Sequence, residues 1–223
     1  MKRGYLLLTL LWVFSCQTLP EIHHTGDRPI PKIRESCAAI FPDGKWQFVH
    51  SIEATMSGGQ KGFMIGITRI QRKPVKIRCV MMTVEGFVLF DAEYDQKIVI
   101  HRGLAPFDAI DFATGVMADI RLMFIPPRGR LIESGWQENG FHVCRYQNDG
   151  ISTVDIHTGP ENRWGIHKYD YSRRLIRSVV AVPGVASTLP PEISRPSRLE
   201  FTAHGRYGYS LLMDLIEARQ LPE

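Results

Sequence analysis

From Trp46 onward, apolar and polar residues alternate in short runs separated by turn residues, the period-2 signature of half-buried strands. The clearest stretch is GFMIGITRIQ followed by KPVKIRCVMMTVEGFVLFDAEYDQKIVIHRG. Within it Ile77, Cys79 and Met81 share one face of a strand, and Lys76 and Arg78 the other. On the next strand Val88, Phe90, Ala92 and Tyr94 fall together, with Asp91 and Glu93 turned away. A two-residue turn at Glu85-Gly86 pairs Met81 with Phe90, Cys79 with Ala92 and Ile77 with Tyr94, so the apolar faces coincide. A slip of one residue would set every one of these side chains on the wrong face. A three-residue turn at Asp95-Gln96-Lys97 brings Ile98 and Ile100 onto the same side. The pattern predicts an antiparallel meander whose apolar face carries Ile65, Ile67, Ile77, Met81, Val88, Phe90, Ile98 and Ile100.

After Pro106 the period changes. Ile110, Ala113, Met117, Ile120 and Phe124 recur at steps of three and four, which predicts an amphipathic helix over 108–124 with Asp108 as N-cap and Pro126-Pro127 as the stop. Its stripe, with Met117 and Ile120 at the centre, is expected to pack on the meander. Strands then resume as FHVCRYQ, ISTVDIH, RWGIHKYD, RLIRSVVAV, RLEFTAH and GYSLLMDLIEA, with turns at Asn148-Asp149-Gly150, Thr158-Gly159-Pro160, Pro183-Gly184, Pro190-Pro191 and His204-Gly205. The fold class is therefore mainly β (α+β): about ten or eleven antiparallel strands and one strong helix. A helix of about seventeen residues is ~25 Å long and ~10 Å wide, too small to cover a ten-strand sheet alone. Either the second half folds over the apolar face or a cavity remains there.

The N-terminal residues follow a different rule. MKRGYLLLTLLWVFSC places two basic residues before an apolar run, Tyr5 to Phe14. That run matches the ~7–15 residues of a secretory leader and falls short of the ~20 a bilayer-spanning helix needs. It ends on Val13-Phe14-Ser15-Cys16, without an A-x-A pair. This tetrapeptide resembles the lipobox of bacterial lipoproteins. The resemblance implies removal of residues 1–15, acylation of Cys16 and anchoring to a membrane by several chains, since one alone binds marginally. Gln17 in place of aspartate implies the periplasmic face of the outer membrane. Residues 16–36, with three prolines and little periodicity after the cysteine, are expected to form a flexible tether of roughly 25 Å reach at ~5–6 Å × √n. His23-His24 within it read as solvated. A single domain is expected over 37–223.

Composition changes this picture little. Hydrophobic residues make up 44% and charged residues 22%, ordinary for a folded globule. Without Lys2 and Arg3 the net charge falls from +4 to +2, too small to suggest nucleic acid as a partner. Cys37, Cys79 and Cys144 remain, with no C-x-x-C pair for zinc or redox chemistry. Cys79 fits a strand as a small hydrophobe. A Cys37–Cys144 bridge is chemically permitted in an oxidising compartment, and the sequence does not decide it. No G-x-S-x-G, H-E-x-x-H, Walker A or G-x-G-x-x-G motif is present. His50, His101, His142, His157, His167 and His204 are single residues in strands; Ser152, Asp155 or Asp170 could join one in a triad, but no local spacing favours it, and surface histidine is the reading for each. No metal or cofactor is expected.

The lipobox, the tether and a meander interrupted by one helix together resemble the LolA/LolB-type periplasmic fold. The segment from Gly62 to Pro127, with VEGFVLFDAEYD and GVMADIRLMFIPP, is similar to uncharacterised LolB-like outer-membrane lipoproteins, and RLEFTAHGRYGYSLLMDLIEA fits their closing strands. The resemblance implies a curved, incomplete barrel with helices over its concave side, which receives acyl chains. The implied function is a non-enzymatic lipid or acyl-chain binder, with Ile65, Ile67, Ile77, Met81, Val88, Phe90, Ile98, Ile100, Met117 and Ile120 as lining residues and a role in lipid or lipoprotein trafficking. The alternatives are a structural outer-membrane lipoprotein with a filled interior, or an enzyme acting on acyl chains. LolB also carries an apolar loop tip that enters the membrane; VEGF and YDQK are the candidate tips here, and neither reads as exposed and apolar.

Overall fold

The computed structural model describes residues 19–24, 30–137, 139–148, 150–182 and 196–222. The leader 1–15, Cys16 and the turn positions Asp149, Pro183-Gly184 and Pro190-Pro191 lie outside them. In chain order the elements are α1 (Ile30–Ala39), β1 (Lys45–Met56), β2 (Lys61–Gln71), β3 (Lys76–Met82), β4 (Val88–Asp95), β5 (Lys97–Gly103), α2 (Ile110–Phe124), β6 (Arg130–Trp136), β7 (His142–Asn148), β8 (Ser152–Thr158), β9 (Trp164–Asp170), β10 (Leu175–Val182), β11 (Arg198–Ala203) and β12 (Tyr209–Gln220). All twelve strands form one sheet in the order β5-β4-β3-β2-β1-β12-β11-β10-β9-β8-β7-β6, paired antiparallel throughout. The sheet is curved and does not close. Its two edges, β5 and β6, are consecutive in the chain and are joined through α2. Register shifts at Val49/His50, Met81/Met82, Asp91/Ala92, Leu131/Glu133 and Leu175/Arg177 supply the local twist that bends it.

The meander has the register its alternation predicts: Ile77 opposes Tyr94, Cys79 opposes Ala92, Met81 opposes Phe90 and Tyr94 opposes Ile98. The first turn differs. Thr83 N–H donates to Phe87 O at 2.9 Å, leaving Val84-Glu85-Gly86 as a three-residue tip with Gly86 at φ 92°. The shift beside Met82 absorbs the extra residue, so the expected pairs survive. The strand count is twelve because RLIESGW, whose Glu133-Ser134-Gly135 gives little apolar alternation, forms β6.

β2 is turned over relative to expectation. Ile70 opposes buried Ile77, which puts Thr68, Gly66 and Met64 on the concave face and Ile65 and Ile67 on the convex one. Gly66 decides this. A Cβ there would come within 2.6 Å of Ile52 Cδ1, so β1 fills the room that a larger residue would need. Val88 opposes Met82, the partner of Ile65, and is likewise convex.

Two pieces of the proposed tether are docked instead. Residues 30–39 form α1, which packs on β6, β7 and β8 and is bonded to β7 by a Cys37–Cys144 disulfide. Before it, His23 bridges to Trp136 at the end of β6. Prolines near the start of α1 hid it, although the first turn is where a helix tolerates them.

α2 lies across the concave side. Ala113, Met117, Ile120, Met123 and Phe124 are buried, Phe112 meets Phe90 edge-on, and Phe124 stacks on Phe48 at 5.0 Å. Two details depart from expectation. Ala109 rather than Asp108 precedes the helix and makes no side-chain cap, and Ile110 is 57% exposed.

Candidate functional site

The concave face under α2 is floored by Ile70, Ile77, Cys79, Met81, Phe90 and Ala92, all buried. Burial pushes the free Cys79 thiol up to about 12, so it behaves as an apolar group. Of the ten lining candidates, Ile77, Met81, Phe90, Met117 and Ile120 belong to this core, with Ile98 and Ile100 packed at its margin. Ile65, Ile67 and Val88 lie on the other side of the sheet. The meander half of the concavity is thus filled by side chains, and the open space lies elsewhere.

A buried polar contact pins α2 to the sheet. Asp119, buried on the helix, accepts from Arg177 Nε on β10 at 3.0 Å and from the hydroxyl of Tyr209 on β12. Burial holds the Asp119 carboxyl above its ordinary range, and the tyrosine and arginine partly offset it. Burial also raises Tyr209 and lowers Lys168, which faces the same helix from β9. Polar groups so enclosed cost stability unless paired, and the Asp119 triad is paired.

Two grooves flank this arrangement. On the concave side, a groove of about 250 Å³ runs between the C-terminal half of α2 and strands β7, β8 and β9. On the convex side a groove of about 810 Å³ is lined by His157, His167, Tyr169, Ser178 and His204, with Pro20, Phe141 and Arg163 at its margin. The histidine rings of 157 and 167 lie 4.5 Å apart, and Ser178 Oγ is 3.0 Å from His204 Nε2. These histidines are not the surface residues that alternation suggests. His157 is buried, its Nε2 has no hydrogen-bond partner among the described residues, and burial lowers its pKa to about 3. His50, tilted against Phe48 and Phe124 on the concave side, is lowered to about 4 for the same reason.

The cause is a second covering layer on the convex face of β7 and β8. Arg145 there bonds Asp155 through Nε and Nη2, both at 2.8 Å, Glu133 at 2.9 Å and the carbonyl of Pro20 at 2.7 Å. Asp155 is fully enclosed. No alternating pattern could announce this, because β8 is buried on both faces. Among the described residues no group of three or more His, Cys, Asp or Glu is placed to hold a metal ion.

The two buried histidines set a pH dependence. Below their ordinary value of about 6.5, the unfolded chain takes up protons that the folded protein refuses, so stability falls with pH from about 6.5 toward about 4. Each such proton costs ~1.4 kcal/mol for every pH unit below that value, so the two together remove about 4 kcal/mol between pH 7 and pH 5. Asp119, whose carboxyl is raised, works in the opposite direction as it protonates. Urea midpoints should drop clearly over this interval; coincident midpoints at pH 7 and pH 5 would contradict the buried neutral histidines.

One end of the sheet is unlike the other. Because successive strands reverse direction, the β1–β2, β3–β4 and β11–β12 turns share an end. They present Met56 and Phe63, Val84 and Phe87, and Tyr207 to solvent, with Val84 and Phe87 each 70% exposed. The VEGF tip is therefore exposed and apolar, contrary to its reading in the sequence. Ile65, Ile67, Val80, Met82 and Val88 continue this apolar surface along the convex face.

No protein-family model matches the sequence, and no curated protein is significantly similar to it. Solved structures are. A LolA-superfamily protein from Nitrosomonas europaea superposes with a TM-score of 0.52 at 13% identity, over 86% of this chain and 94% of that one. A domain from Vibrio parahaemolyticus described as outer-membrane lipoprotein-sorting superposes with a TM-score of 0.50 at 8% identity, over 84% and 90%. The fold is thus LolA-like: one curved, unclosed antiparallel sheet with helices on its concave side.

Proposed function

We propose that this protein is a lipoprotein of the outer membrane, held on its periplasmic face through Cys16, that binds an acyl chain between α2 and the concave face of the sheet and shields it without covalent chemistry. One observation carries the reading. Between β5 and β6 the apolar interior is covered by a helix instead of by strand pairing, so the cover can lift without breaking a ladder of backbone hydrogen bonds. The cover is held by apolar contact, the Asp119–Arg177–Tyr209 contact and Arg121 over the Tyr94 ring. Apolar interiors with few polar groups suit ligands that need burial more than hydrogen bonds. The exposed Val84 and Phe87 tip gives such a protein an apolar contact for a membrane surface. The LolA-like neighbours support the same class of function.

A second reading is favoured by the filled floor under α2, where Phe90, Met117 and Ile120 leave little room. It makes the protein a structural lipoprotein without ligand. One experiment separates them. Cys16→Ser is expected to leave the membrane fraction, and the soluble protein so obtained should yield extractable lipid and bind a fluorescent fatty acid saturably. Continued outer-membrane fractionation after processing would remove the lipid anchor. Absence of both lipid and saturable binding would leave the structural reading.

A further inference from the structure

We propose that the groove between the C-terminal half of α2 and strands β7–β9 receives the anionic head of an acyl-chain amphiphile, a carboxylate or a phosphate, with Arg121, Arg128 and Lys168 as its partners. This rests on the acyl-binding reading above and names the class of ligand. The lining is mixed: Leu122 from the helix, Ile125 just past its end, and Tyr146 and Val154 from the sheet are apolar, while Asn148 and Ser152 are polar. Three cations line the groove with them, and among the described residues no carboxylate does. Asp119, on the same helix, already has one oxygen on Arg177 and the other on Tyr209.

None of the three cations makes an ion pair among the described residues, although Lys168 feels the charge of Asp119. Arg121 Nη2 is buried with no hydrogen-bond partner among the described residues. Its guanidinium lies 5.7 Å from the centre of the Tyr94 ring, and its hydrogen bonding to the Tyr94 hydroxyl, with the charges of Arg121 and Arg128, holds that phenol below its ordinary range. Lys168 is partly buried and makes no ion pair among the described residues. Burying a cation without an anion is costly, and an orphaned guanidinium nitrogen in a native interior calls for a partner. Guanidinium and ammonium donors pair with carboxylate and phosphate by charge-assisted hydrogen bonds. The apolar part of the lining, Leu122, Ile125, Tyr146 and Val154, favours an anion that carries a hydrocarbon chain. The volume of about 250 Å³ holds roughly eight groups of water size at ~30 Å³ each. That is enough for a head and the first methylenes; the remainder of the chain enters beneath α2 as the helix lifts from the side chains that fill that space.

The test uses the soluble Cys16→Ser protein and two probes of one hydrocarbon chain, cis-parinaric acid and its methyl ester. The acid should bind at least tenfold more tightly than the ester. Arg121→Gln, Lys168→Met and the more peripheral Arg128→Gln should each bring acid affinity down toward that of the ester. Equal affinities of acid and ester in the unaltered protein would overturn the head site while sparing acyl binding. Failure of both probes to bind would remove the acyl reading and this site with it. Inorganic phosphate separates the two sources of an anion. If it displaces cis-parinaric acid as effectively as dioctanoyl phosphatidic acid does, the groove reads a free ion and the amphiphile assignment falls.

Discussion

Ile120→Asp should abolish cooperative unfolding of the domain at neutral pH. Ile120 sits on the inner stripe of α2 and is buried against the sheet. Losing its burial costs about 1.5–3 kcal/mol. A carboxylate placed there is enclosed and follows Asp119 directly in the chain, so burying it adds several kcal/mol more. The sum approaches the whole stability of an ordinary domain, about 5–15 kcal/mol. Ile120→Val, which removes one methyl group, should cost only about 1 kcal/mol. Urea unfolding followed by near-ultraviolet circular dichroism reads both variants. A native-like midpoint for Ile120→Asp would mean that α2 does not press this stripe onto the sheet.

The double substitution Cys37→Ala, Cys144→Ala should destabilise the protein by about 4–5 kcal/mol, since the bridge closes a loop over a sequence separation of 107 residues. The loop contains β1 to β5, α2 and β6, so the bond ties α1 to the far half of the sheet across everything between. The effect reaches beyond chain entropy, because α1 otherwise holds β7 through a short apolar contact around Ile33. Urea midpoints of the variant and of the unaltered protein in reductant should fall together. A midpoint unchanged by either treatment would show that the bridge contributes nothing.

How much of this was legible in the sequence depended on how many layers cover each strand. β3, β4 and β5 are covered on one face, so their alternation gave the register residue by residue, down to Cys79 opposite Ala92. β2 misled because its two faces are both mostly apolar and the deciding residue is Gly66, whose value lies in the space it leaves to Ile52. β8 misled in the opposite sense. Asp155 and His157 read as solvent-facing, but Arg145, Glu133 and the docked segment around Pro20 enclose that face. Such a layer depends on contacts over more than a hundred residues, which no local pattern contains. The helix α2 was legible because its stripe is long, whereas α1 is short and begins among prolines. The lining residues divided accordingly: those placed through β3, β4 and α2 face the concavity, apart from Val88 beside the register shift, and those placed through β2 do not. The cationic groove left no trace in the sequence, since Arg121, Arg128 and Lys168 are brought together only by the docking of α2 on β9.

The bond between Cys37 and Cys144 passes over a third thiol. Cys79 lies between them in the chain and is enclosed in β3, opposite Ala92. A polypeptide that emerges N-terminus first brings residue 79 within reach of residue 37 before residue 144 is available. Native pairing therefore cannot arise by joining cysteines in order of appearance; any bond made that way must be exchanged. The timing of the sheet protects against this error. Once β2, β3 and β4 have paired and α2 has closed over them, Cys79 is shut away and cannot compete with Cys144 for Cys37, so the meander and its helix act as a proofreader for a disulfide in which they take no part.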